Sequence, residues 1–270
     1  MDPPLPGTGF YLEGEPHVDP ARLVAHYCAS RGITPPDLGI KPVVVGTWSH
    51  RLSAYLGEVS GAELAHRWVE WKGEGNRSAF VIGDAVTIVR FPIGAPSTVA
   101  MMEEMIACGM RTLITTGAAG SLQDYAPIGT IVVPTSAIRE EGTSHHYAPH
   151  DVPAQAHPDA VAAITGQLDA QSIPYLKGEN WTTDAIYREH RGKIDLYRRA
   201  GVLTVDMELS ALWTVGAIRG VRCGAVVAVS DELHGDTWEI GFESDEMRRG
   251  ITQAVRVALD AALLLAAKEA

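Results

Sequence analysis

The sequence predicts a single α/β domain built on a largely parallel or mixed sheet. Three observations carry that prediction. Short β-branched apolar runs alternate with helical stretches along the whole chain. Several of those runs end in glycine followed by polar residues that open a helix. No composition break or internal repeat divides the 270 residues.

In order, residues 1–20 carry Pro3, Pro4, Pro6, Pro16 and Pro20 and read as an N-terminal arm on the surface or on a partner. Asp19 to Arg31 reads as a short helix with Leu23, Val24 and Tyr27 on one face, closed by Gly32. Lys41 to Val45 is a buried strand ended by Gly46. Thr47-Trp48-Ser49-His50-Arg51 then leads into a helix, and that junction suits an anion or a plain Ser49 N-cap. Ala65 to Lys72 alternates and is aromatic, which predicts a half-exposed strand. Val86 to Ile93 is the next strand, and Gly94-Ala95-Pro96-Ser97-Thr98 launches a helix whose Met101, Met102 and Met105 belong in the core.

Met110 to Pro134 is the centre of the chain. An apolar strand runs into the glycine turn Thr115-Thr116-Gly117-Ala118-Ala119-Gly120, and a second apolar strand follows. Small residues let backbone N–H groups approach a ligand closely, so this turn is expected to floor a pocket, although a tight turn between buried strands has the same composition. Ile138 to Pro153 reads as a polar loop with His145, His146 and His150, but nothing in their spacing argues for a metal. Asp159 to Ala170 reads as a helix, Tyr175 to Thr182 as a strand, and Lys193 to Ala200 as another helix. Val202 to Glu208 passes from strand into the apolar helix Leu209 to Arg219, where Asp206 and Glu208 suit capping. The strand Gly224 to Val229 ends at Ser230-Asp231-Glu232, and the helix Ser244 to Ala267 closes the chain.

Composition narrows the function. A net charge of -11 argues against gripping nucleic acid or an anionic membrane, so an anionic ligand must meet a local basic pocket. No uninterrupted apolar run approaches the ~18 residues of a bilayer span, and MDPPLPGTGFYLEGEP lacks the basic and apolar regions of a signal peptide. Cys28, Cys108 and Cys223 are widely spaced in apolar or helical contexts, which fits a reducing cytoplasm and no disulfide framework.

Taken together, the stretches resemble the nucleoside phosphorylase family that includes the hexameric purine nucleoside phosphorylases and the uridine phosphorylases. The markers are Gly46 after a strand, His66-Arg67, Gly94 to Thr98, the turn through Gly120, Gly129-Thr130-Ile131-Val132-Val133, Gly142 to Pro149, Met207-Glu208 and Ser230-Asp231. The resemblance implies one domain with a partly barrel-like mixed sheet flanked by helices. It also implies cleavage of a nucleoside's N-glycosidic bond by inorganic phosphate, with no cofactor and no metal, giving free base and pentose 1-phosphate.

By that resemblance Glu208 holds the ribose hydroxyls, Met207 packs under the sugar, and Asp231 serves as the acid at purine N7. Ile186, with Tyr187 beside it, and Gly120 belong to the base subsite, and His17 resembles the histidine that reaches a neighbouring subunit's sugar. Phosphate falls to Gly46, to His50 or Arg51, and to Arg67 across a dimer interface, within a homodimer or homohexamer that shares its sites. Two positions depart from the family. Thr115 stands where the phosphorylases carry arginine and Ala118 where they carry serine or threonine, so Arg90 on the preceding strand is the expected compensation. Hydrolysis by water and nucleoside binding without catalysis are the alternative readings. The loop Arg188 to Gly192 lacks the glutamine–arginine pair by which uridine phosphorylases read uracil, and Asp231 favours a purine.

Overall fold

A computed structural model describes residues 14–72 and 79–269, with only the backbone of His50 and Glu269. Residues 1–13 of the expected arm lie outside the described residues, and Pro20, its last residue, is already the first of a helix.

The first half comprises α1 (Pro20–Ala29), β1 (Val43–Thr47), α2 (His50–Ser60), β2 (Glu63–Leu64), α3 (His66–Lys72), β3 (Ala79–Ile82), β4 (Val86–Arg90), α4 (Ala95–Ala107) and β5 (Thr112–Ser121). The second half comprises β6 (Ile131–Glu140), β7 (Ala154–Gln155), α5 (Pro158–Ala170), β8 (Leu176–Thr183), α6 (Arg191–Arg199), β9 (Thr204–Asp206), α7 (Leu209–Arg219), β10 (Arg222–Glu232), β11 (Glu239–Ile240) and α8 (Asp245–Glu269). The helix starts follow the expected cap chemistry. Asp19 accepts from Ala21 N at 2.9 Å, Ser49 accepts from Leu52 N at 3.4 Å, and Gly94 precedes the Ala95-Pro96 opening of α4.

One mixed sheet holds the described strands. β10, β6, β8, β9 and β5 follow one another in hydrogen-bonded order, and the parallel β5–β10 pairing closes them into a five-stranded barrel. From β5 the sheet continues open through β1, β4, β3 and β2. Inside one core, α8 lies against the sheet and α5, burying Ala254, Val255, Ala258 and Ala262 completely. It is long and apolar enough to cross a membrane, but these contacts make it a core helix.

Two expectations are corrected. The stretch expected as a strand over Ala65 to Lys72 is helical from His66 on, with Ala65 and Trp68 buried three residues apart and Trp71 stacked on Tyr27 at 4.7 Å. Alternation in so short an aromatic stretch fits both periods, and packing against α1 and α4 decides. The residues Thr115 to Gly120 are no turn either: β5 runs through them, paired residue for residue with β10 from Thr115↔Ala225 to Ala119↔Val229. Their small side chains serve crowding, since a Cβ on Gly117 would come within 3.1 Å of the Trp48 ring.

Candidate active site

The carboxyl ends of β1, β5, β9 and β10 open on one cavity of about 950 Å³. Ligands in open α/β sheets bind at this edge.

The floor is the second half of β5. Gly120 is bare because its surroundings leave no room for a side chain. An added Cβ would meet Leu233 at 2.5 Å, Val205 at 3.1 Å and the Asp231 carboxylate at 3.2 Å. Asp231 reaches this place through a bulge in β10: Val229 pairs with Ala119 and Asp231 with Gly120, which leaves Ser230 as an extra residue. Both carboxylate oxygens of Asp231 are held. Ser230 Oγ donates to Oδ1 at 2.6 Å and the Trp238 indole N–H donates to Oδ2 at 2.7 Å.

At the junction of β9 and α7 two neighbouring acids divide the work. Asp206 is the cap, accepting from Leu209 N at 2.8 Å and Glu208 N at 3.1 Å, and it also takes Asn180 Nδ2 and Thr182 Oγ1, each at 2.6 Å. Glu208 makes no side-chain cap; its Oε1 accepts from Gly94 N at 2.6 Å, and the residue lines the cavity beside Met207. Burial raises the pKa of both acids, and the Asp206 charge adds to burial at Glu208, lifting it to about 8. Glu208 is therefore poised to donate and accept hydrogen bonds near neutral pH.

The predicted base residues Ile186 and Tyr187 line the cavity at its mouth, Tyr187 almost fully exposed. Glu189, three residues on, was not singled out as a site residue. Burial first, and then the charges of Asp231 and Glu140, push its carboxyl up to about 7. A second lining residue missed by sequence reading is Trp238, which sits in a polar loop with no periodic signal.

The nucleophile end is different. Arg51 lines the cavity and, among the described residues, has no ion-pair partner, whereas Arg191 faces Asp236 and Arg248 faces Asp245, each at 3.3 Å. The other expected phosphate residues lie elsewhere. Gly46 is packed against Phe91, whose ring a Cβ would meet at 2.4 Å, and it does not line the cavity. Thr115 is buried and turns its hydroxyl to Gly224 O at 3.4 Å. Arg90 is not on the strand adjacent to Thr115 as expected: β1 lies between β4 and β5, and Arg90 does not line the cavity. Trp48 instead covers Gly117, its indole N–H donating to Thr98 Oγ1 at 3.1 Å.

Arg67 is half exposed on α3, 3.7 Å from Asp37, and His17 is exposed ahead of α1; neither lines this cavity. The His50 side chain lies outside what is described. The histidine loop is organised by Arg139, which donates to the carbonyls of Ala148, Pro149 and Val152. Among the described residues, no His, Cys, Asp and Glu side chains group to hold a metal ion.

The sequence pattern of the Phosphorylase superfamily matches residues 43–263, from β1 into α8. The chain belongs to the Phosphorylase superfamily. It is 29% identical over 187 residues to the guanosine phosphorylase of Halorubrum lacusprofundi, covering 68% of this chain and 78% of that one. The uridine phosphorylase of Treponema pallidum is 31% identical over 191 residues, 67% of this chain and 73% of its own. Among solved structures, the uridine phosphorylase of Vibrio fischeri superposes with a TM-score of 0.73 at 26% identity, over 84% of this chain and 93% of that one. The chain thus shares its overall fold with a solved uridine phosphorylase.

Proposed function

We propose that this phosphorylase-superfamily chain cleaves the N-glycosidic bond of a purine nucleoside with inorganic phosphate as co-substrate, releasing the base and pentose 1-phosphate. The observation that supports it is the convergence of Met207, Glu208 and Asp231 on one cavity over the bare backbone of Gly120. As the bond breaks, the sugar becomes cation-like and the base anionic, so the site needs a fixed grip on the sugar hydroxyls at one end and an acid for the departing base at the other. Glu208 takes the sugar hydroxyls, with Met207 beneath, and Asp231 takes the departing base nitrogen. Ile186 and Tyr187 cover the base. Arg51 binds phosphate, with His50 beside it at the start of α2; His17 and Arg67 serve a neighbouring copy's cavity.

Hydrolysis is the second reading, and a specific observation favours it. The Thr115 hydroxyl is turned to Gly224 O, Ala118 has no side-chain donor, and an indole covers Gly117. The two readings separate in one experiment: base release from a purine and pyrimidine nucleoside panel with and without phosphate. Phosphate-dependent release with pentose 1-phosphate as product is expected, purines ahead of uridine. Release at an unchanged rate without phosphate, with free pentose, makes the chain a hydrolase. Binding without turnover in both conditions overturns both.

A further inference from the structure

We infer that Trp238 is a positioning residue for Asp231 and a wall of the base subsite, its indole N–H fixing how the carboxyl meets the departing base. The inference rests on the nucleoside-cleaving function proposed above.

The bond itself is short and made by a ring that does little else. Trp238 Nε1 donates to Asp231 Oδ2 at 2.7 Å, while the ring is 46% exposed and lines the cavity. Its ring neighbour is Phe242, edge-on at 6.2 Å and itself 48% exposed. A half-exposed indole adds little to a core. What it supplies is a donor aimed at the acid and an aromatic face beside it.

The hairpin that carries Trp238 is tied to the strand that carries Asp231. β11 pairs with β10 at Asp231↔Ile240 and Glu232↔Glu239. Gly241 N donates to Ser230 O at 3.0 Å, and a Cβ on Gly241 would come within 2.7 Å of that carbonyl. Leu233 N is bonded to Ser121 O at 2.8 Å, and the Glu232 carboxylate accepts Ile128 N at 2.9 Å with His234 Nε2 at 3.0 Å on its other oxygen. The indole and the acid therefore share one rigid frame, the condition for positioning a reacting group.

With Ser230 on Oδ1 and Trp238 on Oδ2, the plane of the carboxyl is fixed, and one lone pair on each oxygen stays open. When the carboxyl O–H proton passes to the base, that bond breaks, an N–H bond forms on the ring nitrogen, and the charge left on Asp231 rests on oxygens that already face donors. The released base keeps the N–H that Asp231 accepts; the intact nucleoside lacks it. Loss of the indole donor is accordingly felt in turnover and in affinity for free base more than in nucleoside affinity.

The test is a double-mutant cycle of Trp238→Phe and Asp231→Ala, reading kcat, KM and free-purine affinity by calorimetry. W238F keeps an aromatic ring and loses the donor. In the Asp231 protein it is expected to lower kcat and weaken free-base binding by about 10- to 150-fold, the scale of one hydrogen bond to a charged group, with KM changed less than about threefold. In the D231A background the same substitution should change free-base affinity less than about twofold. Equal losses in both backgrounds, or a loss confined to KM, overturn the inference. If the wild-type chain cleaves no nucleoside, the proposed function falls, and the free-base cycle still decides whether Trp238 and Asp231 are coupled.

Discussion

The two ends of the cavity are built on opposite plans. At the base end, Asp231 is fixed by two donated hydrogen bonds, Glu189 stands near it with a raised pKa, and aromatic rings lie around them. At the nucleophile end, the backbone of Gly117 is covered by an indole, Ala118 has no side-chain donor, and Arg51 is an exposed cation. The first end is preorganised for charge that appears during reaction. The second is poor in donors and leans on a mobile type of side chain. Identical strand edges can thus carry a finished acid site and a sparse anion site side by side, and the difference lies in single side chains, not in the sheet.

Experiments can break this comparison at either end, and the largest effect belongs to the base end. Asp231→Asn should lower kcat by about 100- to 10,000-fold, the range spanned by a general acid, with the protein still folded by circular dichroism. A loss below tenfold would remove Asp231 from the acid role. Glu208→Ala should cost about 100-fold in kcat/KM, measured on the best nucleoside, because the sugar loses its fixed orientation.

At the nucleophile end, Arg51→Ala should raise the KM for phosphate about tenfold and leave the nucleoside KM unchanged. An unchanged phosphate KM would place the anion elsewhere and favour water. Thr115→Arg is the converse trial. The side chain points to Gly224 O within a buried strand, so a guanidinium there should lower the melting temperature, by roughly 1–3 kcal/mol of stability or more, without improving phosphate affinity.

The smallest effect is on stability against pH. Glu208 keeps its proton in the folded chain up to about pH 8, whereas an unfolded chain releases it near pH 4.5. Between those values the folded state binds more protons, so this contribution to stability falls as pH rises. Glu208→Gln should flatten the decline in melting temperature from pH 5 to 8; an unchanged slope would mean that Glu208 is ionised throughout.

Much of the frame was legible because it rests on local chemistry. Ser49, Asp19 and Gly94 announce helix starts, and the three methionines of α4 are buried as their spacing requires. Met207-Glu208 and Ser230-Asp231 marked the acids by resemblance. What escaped was set by distant packing. α3 became a helix through Trp68 and Trp71, β5 stayed extended because β10 lies along it, and Arg90 was separated from Thr115 by a strand order that no local signal encodes. Glu189 and Trp238 escaped for a related reason: Glu189 feels the charge of Asp231 and Trp238 bonds its carboxyl, and a loop residue's neighbours across the fold leave no periodic trace.

The extra residue at Ser230 has a broader meaning. On a regular strand consecutive side chains face opposite ways, so positions 230 and 231 would be sent apart. The offset lets a hydroxyl and a carboxyl that follow each other in the chain stand together over Gly120. Deleting Ser230 would change no charge, yet it would restore the ladder and part the acid from its hydroxyl. The aim of the acid is thus written in the count of residues along the strand as much as in the aspartate itself.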